Sequence, residues 1–367
     1  MPVPWSLSSV VPARIVVPLG KVCYNETLPG TLLLVCALWG RRNSRRPARM
    51  SRGNLRPDAS TLAKAVQMSE CAGKGLRSPE TLASMDRFVD EQSHLLRETA
   101  DLIHELHDSV FWLSLAICGS CEAIRILARG ALFNDAVMLF RALVERTINA
   151  CYLLVCDEEE VRRFETYTRQ KAYRRLDREC DTGREAIRVR YGGLVEPSAI
   201  PGLQEALGEF TSQRGREINR WSKTDLIDRV AIISERSKVK TVLLLICLVM
   251  YYEDASEALH GTKYGCTFHL GVWEPGTVVT SYEDLFDHFR AGSAVMLFLA
   301  GAAVHELIRL ASTLVEMQHV LDRSTSSADA ATHVLNKAID EEKAAPRRRA
   351  EAKGGWWAGW RKDQEPK

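Results

Sequence analysis

Residues 131–154 read ALFNDAVMLFRALVERTINACYLL, and this stretch decides the fold. Its apolar side chains recur at intervals of three and four residues, which is the period of an α-helix with one buried face. We therefore predict a long amphipathic helix over residues 132–155. Gly130 separates it from a second apolar stretch of the same period, 111–127. The apolar stripe of the predicted helix consists of Phe133, Val137, Phe140, Val144, Ile148 and Cys151.

Two further segments are apolar enough to lie at the centre of a helical protein. All residues of the segment 291–304 are small or apolar, within a helix that we predict over 282–323. Fourteen residues of helix span about 21 Å, which is shorter than the ~30 Å core of a bilayer. The segment 241–261 is also strongly apolar and ends at Gly261, a typical helix stop. We expect both segments to pack against the 132–155 helix in the core.

The helical period extends over the region 60–323, and it predicts one all-α domain, an antiparallel bundle of long helices. The flanking segments 1–59 and 324–367 lack a sustained period, and we predict that both are disordered tails. Glycine and proline break the pattern in residues 191–202. Further helices are predicted at 79–107, 157–190, 203–217 and 222–237.

The charges are unevenly distributed along the chain. Its 367 residues carry 49 Lys and Arg against 47 Asp and Glu, but residues 1–56 hold nine basic residues and one acid. The rest of the chain is therefore acidic overall, which does not favour nucleic-acid binding by the core. The basic arm could attract an anionic partner. Met50 is an alternative start, so residues 1–49 are interpreted either as a translated arm or as untranslated sequence.

The sequence predicts a cytoplasmic protein without a transmembrane segment. The apolar run Thr31–Trp39 is too short to span a bilayer. Its dense positive charge follows the run, whereas a signal peptide carries its positive charge before the apolar region. The ten cysteines have no disulfide-framework spacing, and several lie within apolar runs, as is typical of a reducing compartment.

The strongest candidate site lies on the 241–261 helix. Tyr252, Ser256 and His260 follow one another at intervals of four residues, so they share one helix face. That face continues into Leu245 and Val249, so we expect the three polar groups to point inward. Buried polar groups need hydrogen-bond partners.

A candidate partner pair lies on the 132–155 helix, where Arg141 and Glu145 are also four residues apart. Together with Tyr252 and Ser256 this pair could bind an anion in a polar interhelical pocket of a binding or regulatory module. Alternatively, the protein is a hydrolase or a HEPN-like ribonuclease of a defence or stress system, with His260 as general acid and base. A third interpretation is a network that only fixes the packing of the helices.

The same residues carry a resemblance to a known family. The stretch 131–154, with Arg141-x-x-x-Glu145, and the later YYEDASEALHG at 251–261 resemble a bacterial helical family, domain of unknown function 5677. The resemblance covers about residues 100–310. It implies a cytoplasmic all-α fold, and it implies no activity.

Three other patterns point to chemistry only weakly. The HEPN pattern, Arg followed by His after a few residues, occurs at Arg87 with His94 and at Arg97 with His104, as often as chance predicts. Cys118-x-x-Cys121 lacks the βαβ context of a redox motif and a second pair for zinc. His104-x-x-His107 could bind a metal together with Glu105, but we favour exposed histidines and predict no metal site.

The remaining predictions concern cofactors and partners. No glycine-rich phosphate loop or nucleophile elbow is found, and no cofactor is predicted. The partner is predicted to be a small molecule or a protein, and a homo-oligomer stays open. The basic arm, or a C-terminal tail with three tryptophans among basic residues, could contact nucleic acid or a membrane surface. These tryptophans are Trp356, Trp357 and Trp360.

Overall fold

The computed structural model describes residues 75–191, 194–239, 241–270 and 282–344. These residues form eleven α-helices and one two-stranded sheet, which confirms the predicted all-α class. The basic arm and the tryptophan-bearing tail lie outside the described residues. The helices are α1 (Pro79–Glu98), α2 (Ala100–Leu106), α3 (Asp108–Arg129), α4 (Phe133–Val155), α5 (Glu158–Arg174), α6 (Leu203–Glu209), α7 (Leu226–Ser237), α8 (Val242–Leu259), α9 (Lys263–Thr267), α10 (Tyr282–Ala311) and α11 (Gln318–Ala344).

The core is built around α10, which packs against α1, α3, α4, α8 and α11. The three apolar segments predicted to meet in the core are α4, α8 and α10, and each contacts the other two. Leu297, Ala300 and Leu307 of α10 have no exposed surface. A Cβ atom at Gly301 would lie 2.5 Å from the ring of Phe88, so only glycine allows α1 to approach α10 this closely.

The single helix predicted over 282–323 is wrong, because the structure divides it into α10 and α11. The Ser312 and Thr313 hydroxyls donate to the carbonyls of Arg309 and Leu310, both at 2.7 Å. Such local bonds compete with the helical ladder and favour an end of the helix. The predicted boundary after residue 323 falls inside α11, whose buried Ala331, Leu335 and Ala338 hold it against the core.

The charged helix predicted to reach about residue 190 ends at Arg174. It is followed by an antiparallel hairpin of β1 (Asp177–Asp181) and β2 (Ala186–Arg190). The turn contains Gly183 with a φ of +78°, a conformation that favours glycine. In β2, apolar Ile187 and Val189 alternate with arginines, and this period of two is typical of a strand.

Other predicted helices differ mainly at their ends. The helix predicted over 79–107 is interrupted at Thr99, whose hydroxyl bonds back to the carbonyls of Leu95 and Leu96. The helix predicted over 203–217 ends at Glu209. The one predicted from residue 222 begins at Leu226, because Asp225 caps its first turn by accepting from the amide of Asp228 at 2.9 Å.

Two described helices are long and apolar enough to cross a membrane by length and composition, namely α3 and the part of α10 from His288 to Ala311. The most apolar stretch of this part of α10 is 89% buried inside the protein, as expected for a core helix. The corresponding stretch of α3 is only 44% buried, so one face of α3 is open.

Candidate functional site

A line of polar side chains runs along α4 on the side that faces α7 and α8. We call Arg141, Glu145 and Asn149 of this line the polar stripe. They follow one another at intervals of four residues, so they share one face of the helix. The adjacent face, about 100° around the helix, carries Phe140, Val144 and Ile148, which are buried in the core. The strong amphipathic period of α4 therefore fixes the stripe at the edge of the core.

The N-terminal half of the stripe binds Tyr252 of α8, as the sequence predicted that it could. Tyr252 Oη donates to Glu145 Oε1 at 2.7 Å, and Arg141 Nη2 donates to Tyr252 Oη at 3.3 Å. Arg141 Nε donates to Glu145 Oε1 at 3.1 Å, and the guanidinium carbon lies 4.5 Å from the centroid of the Tyr252 ring. Arg141, Glu145 and Tyr252 thus form one compact, half-buried cluster.

The hydrogen bonds of this cluster leave one donor without an acceptor. Arg141 Nη1 is buried and has no hydrogen-bond partner within the described chain. Burial alone would lower the pKa of Arg141, but the hydrogen bond with Glu145 and the neighbouring negative charges raise it. Burial and the hydrogen bond to Glu145 both raise the pKa of Tyr252. The cluster therefore holds a charged arginine and a neutral tyrosine at neutral pH.

The other two residues predicted for the site do not join the cluster. Ser256 is half-buried, and it makes no hydrogen bond with Arg141 or Glu145, whose side chains bond to each other and to Tyr252. His260 is exposed and caps the C-terminus of α8, where its backbone amide donates to the carbonyl of Ser256 at 3.0 Å. It lies about 12 Å further along the helix axis than Tyr252.

The expectation that this whole face of α8 points inward is wrong. Leu245 and Val249, on the same face, are exposed, whereas Leu244, Cys247 and Ala255 are buried. The helix is apolar on nearly every side in its first half, so the period alone cannot identify the buried face. The face with Tyr252 and His260 is in fact the outer one, and Tyr252 reaches α4 from its edge.

The C-terminal end of the stripe contacts an arginine of α7 that the sequence analysis missed. Arg229 of α7 is 7% exposed, and its Nη1 donates to Asn149 Oδ1. Its Nε donates to the carbonyl of Thr224 at 3.1 Å, and its guanidinium carbon lies 4.3 Å from the ring centroid of Trp221. No carboxylate within the described residues comes within 4.0 Å of it.

The surroundings of Arg229 are aromatic and only weakly acidic. Its guanidinium also lies 5.7 Å from the ring centroid of Tyr152. Burial lowers the pKa of Arg229, and the charges of Tyr152, Glu160, Asp225 and Glu145 offset this only in part. The sequence does indicate that Arg229 is buried, because it lies on the buried face of α7, four residues before Ile233.

In two other buried polar clusters, the polar side chains are paired with one another. Arg125 of α3 pairs with Asp86 at 3.1 Å and also with Asp90 and Glu122. His305 Nδ1 lies 2.7 Å from Ser324 Oγ, and this hydroxyl donates to Gln92 Oε1 at 2.6 Å. Because the serine proton is used in the bond to the Gln92 side chain, the hydroxyl accepts a hydrogen bond from the imidazole N–H. The histidine therefore does not activate this serine as a nucleophile.

The weaker chemical motifs are placed apart from the stripe. Cys118 and Cys121 are buried free thiols of α3, and burial raises the pKa of both. His94 and His104, the histidines of the two HEPN-like patterns, are exposed and pair with Glu98 and Asp108, both at 3.1 Å. Within the described residues, no group of three or more His, Cys, Asp or Glu side chains is placed to hold a metal ion.

Two of the grooves formed by described residues are lined by none of the predicted site residues. The larger, of about 560 Å³, lies between α1 and α11. The smaller, of about 250 Å³, lies beside the link between α3 and α4. The larger groove is lined by Ser84, Arg87, Phe88, Glu91, Arg323, Ser326, Ser327, Ala330 and Ala331.

The fold and the stripe define an all-helical protein with a half-buried arginine site between helices. Residues 107–277 match the Family of unknown function (DUF5677), so the resemblance predicted from the sequence is confirmed over this segment. No curated protein and no solved structure matches the chain. The matched segment includes the polar stripe, Arg229 and Tyr252, whereas α1, α10 and α11 lie outside it.

Proposed function

We propose that this protein is a binding module for a small ligand that carries an oxyanion, a phosphate or a carboxylate, and that Arg229 holds this group. The observation that carries the proposal is a buried guanidinium without a carboxylate partner in the described part of the chain. A buried charge is costly unless it is paired, so an unpaired one is typical of a site that a ligand completes.

The geometry of Arg229 suits such a ligand. An arginine has five N–H donors, and the bonds to Thr224 and Asn149 use two of them. Its Nη2 makes no hydrogen bond with any described residue. The planar fork of a guanidinium matches an oxyanion with two parallel hydrogen bonds. Asn149 and Trp221 hold the fork in place, so little side-chain freedom would be lost on binding.

Arg141 supports the same proposal from the other end of the stripe. It lies eight residues before Asn149, which is about 12 Å along the axis of α4. Its Nη1 is the buried donor without a partner, and Glu145 and Tyr252 hold its other nitrogens. A single phosphate cannot reach both arginines, so a ligand that uses both would be extended along the stripe.

The alternative function, a hydrolase or HEPN-like ribonuclease that uses His260, remains a prediction. His260 is exposed at the end of α8, a position that gives a general base access to substrate. RNA hydrolysis by the full chain that is lost in His260→Ala would favour this alternative. The cytoplasmic location also remains a proposal, and it is supported by five buried free thiols among the described residues, those of Cys118, Cys121, Cys151, Cys156 and Cys247.

The experiment measures the thermal stability of the full chain in inorganic phosphate, in acetate and in chloride at constant ionic strength. A ligand that binds only the folded state at one hundred times its Kd stabilises it by about 2.7 kcal/mol. We therefore expect phosphate or acetate, but not chloride, to raise the melting temperature by several degrees. Arg229→Met should abolish this rise, because methionine fills the same space without donors.

Arg236→Met is the matched control, since Arg236 lies on the same helix but is more exposed and bonds to the carbonyl of Val155. It should keep the full response to phosphate or acetate. The proposal is contradicted if neither anion stabilises the wild type, or if Arg229→Met responds as strongly as the control.

A further inference from the structure

The outer face of α3 is apolar and exposed to solvent. Trp112 is 61% exposed and Ile126 is 57% exposed, and Leu115 between them is 39% exposed. Gly119 lies at the centre of this face, and no described atom outside the backbone of its own helix lies within 4 Å of the position of a Cβ. An exposed, contiguous apolar patch of a few hundred Å² is typical of an interaction surface.

The spacing of these residues is symmetric about Gly119. Trp112, Leu115, Gly119, Ala123 and Ile126 follow one another at intervals of three, four, four and three residues. In an antiparallel pair of α3 helices with a two-fold axis at Gly119, Trp112 would meet Ile126 of the other copy. Leu115 would meet Ala123, and the two glycines would allow the backbones to approach closely. A self-complementary patch is what a two-fold interface requires.

The charges at the two ends of the face fit the same arrangement. Asp108 stands at the N-terminal end of α3 with its side chain 64% exposed, and Arg129 stands at the C-terminal end with its side chain 52% exposed. They lie eleven residues before and ten residues after Gly119. An antiparallel pair would therefore place Asp108 of each copy near Arg129 of the other, whereas a parallel pair would bring like charges together.

From the symmetric apolar face and its end charges we infer that a second copy of this chain docks on α3, and that the two copies form an antiparallel, two-fold dimer. The helix is about 33 Å long, so its face covers about 300–400 Å² per copy. With the surrounding rim this reaches the lower end of specific interfaces, and a reversible dimer with a Kd in the ~µM range is expected. The inference does not depend on the oxyanion site, since the polar stripe lies on another helix.

The decisive variant is Gly119→Arg. No described residue outside the backbone of α3 lies near the position of its Cβ, and glycine is a poor helix former, so the monomer accepts the substitution. At the dimer axis, however, two cations would face each other. Gly208→Arg is the matched control, because Gly208 is also helical, exposed and free of neighbours.

The measurement is the mass of the full chain by light scattering at about 5 to 200 µM. At the upper concentrations the wild type and Gly208→Arg should reach about twice the 41.2 kDa of one chain, and Gly119→Arg should stay near one. The melting temperature of Gly119→Arg should not fall. Asp108→Arg should weaken the dimer at least tenfold, because it would place two cations, the introduced arginine and Arg129 of the other copy, at each end of the interface.

Three results would overturn the inference. The first is a wild type that remains monomeric at 200 µM. The second is a Gly119→Arg protein that dimerises as strongly as the Gly208→Arg control. The third is a monomeric wild type that binds phosphatidylcholine vesicles through Trp112 and loses this binding on Trp112→Ala, which would assign the face to a membrane instead.

Discussion

Two arginines of this protein are equally buried, at 7% exposure each, but their surroundings differ in charge. Arg125 is paired with three carboxylates, those of Asp86, Asp90 and Glu122. Arg229 is held by a carbonyl oxygen, an amide oxygen and the face of Trp221. The same residue type at the same depth is thus neutralised by carboxylates in one region, whereas in the other it has no carboxylate partner among the described residues.

The difference is also visible in the pKa values. Burial lowers the pKa of both guanidinium groups, but hydrogen bonds and charges from Asp86, Asp90 and Glu122 raise that of Arg125 above its ordinary value. The pKa of Arg229 stays below it. A cation that the chain itself neutralises contributes to the fold, whereas one that the chain leaves unpaired is suited to a ligand. Depth of burial alone does not distinguish the two roles.

Arg125→Met should have the largest effect on stability. It leaves the carboxylate of Asp86, whose side chain is 12% exposed, with the outer Arg129 as its one remaining ion-pair partner in the described part of the chain. Breaking a buried ion pair costs about 3–5 kcal/mol, which we expect to see in urea unfolding. Arg129→Met is the control, because the half-exposed guanidinium of Arg129 should contribute less than about 1 kcal/mol. Equal losses in both variants would contradict the structural role of Arg125.

His305→Asn tests a second closed cluster through its pH dependence. Burial, together with the charge of Arg309, lowers the pKa of His305 to about 4. The unfolded chain binds this proton near pH 6.5, so wild-type stability is lost as the pH falls from about 6.5 to 4. This linkage amounts to about 3 kcal/mol. The variant keeps an N–H near the Nδ1 position but cannot titrate, so its curve should fall less by about that amount.

The measurement for this prediction is the free energy of unfolding of both proteins between pH 4 and 7.5. His319→Asn, at an exposed position near the start of α11, is the control for loss of a histidine outside the cluster. Parallel curves for the wild type and His305→Asn would show that His305 does not titrate in this range.

Arg229→Met should change stability far less than Arg125→Met, although both remove an equally buried arginine. The variant loses two hydrogen bonds and the stacking on Trp221, but it also removes the cost of an unpaired buried charge. We expect a change of at most about 1.5 kcal/mol in the absence of phosphate or other oxyanions. A loss as large as that of Arg125→Met would assign both arginines to the fold and remove the basis of the proposed oxyanion site.

The sequence predicts the core helices well because the spacing of their apolar residues indicates which side of each helix is buried. The apolar stripe of α4 and the apolar run of α10 each predict a helix, and each also predicts that this helix lies in the core. Local side-chain bonds are harder to foresee, and those of Ser312 and Thr313 end α10 twelve residues before the predicted boundary after residue 323.

The candidate site was only partly predictable for a related reason. Arg141, Glu145 and Tyr252 meet because each helix places them at its edge, and their spacing alone pointed to this cluster. The position of His260 depends on how α8 is rotated about its axis, which its nearly uniform apolar sequence does not specify. Arg229 was missed because its significance comes from the lack of a carboxylate partner, which is a property of the folded structure.

His260→Ala should have the smallest effect. Had this histidine been a buried hydrogen-bond partner, its loss would have cost about 2 kcal/mol. It is exposed, and its contribution to the end of α8 comes from its backbone amide, which alanine retains. We therefore expect a change within about 0.5 kcal/mol, or less than about 2 °C in the melting temperature. A fall of 5 °C or more would place His260 in a contact that this structure does not contain.

Since exposed residues are ordinarily neutral to stability, an unchanged melting temperature does not by itself indicate a functional role. The comparison that bears on function is therefore between the oxyanion responses of His260→Ala and Arg229→Met, of which we expect only the second to be lost.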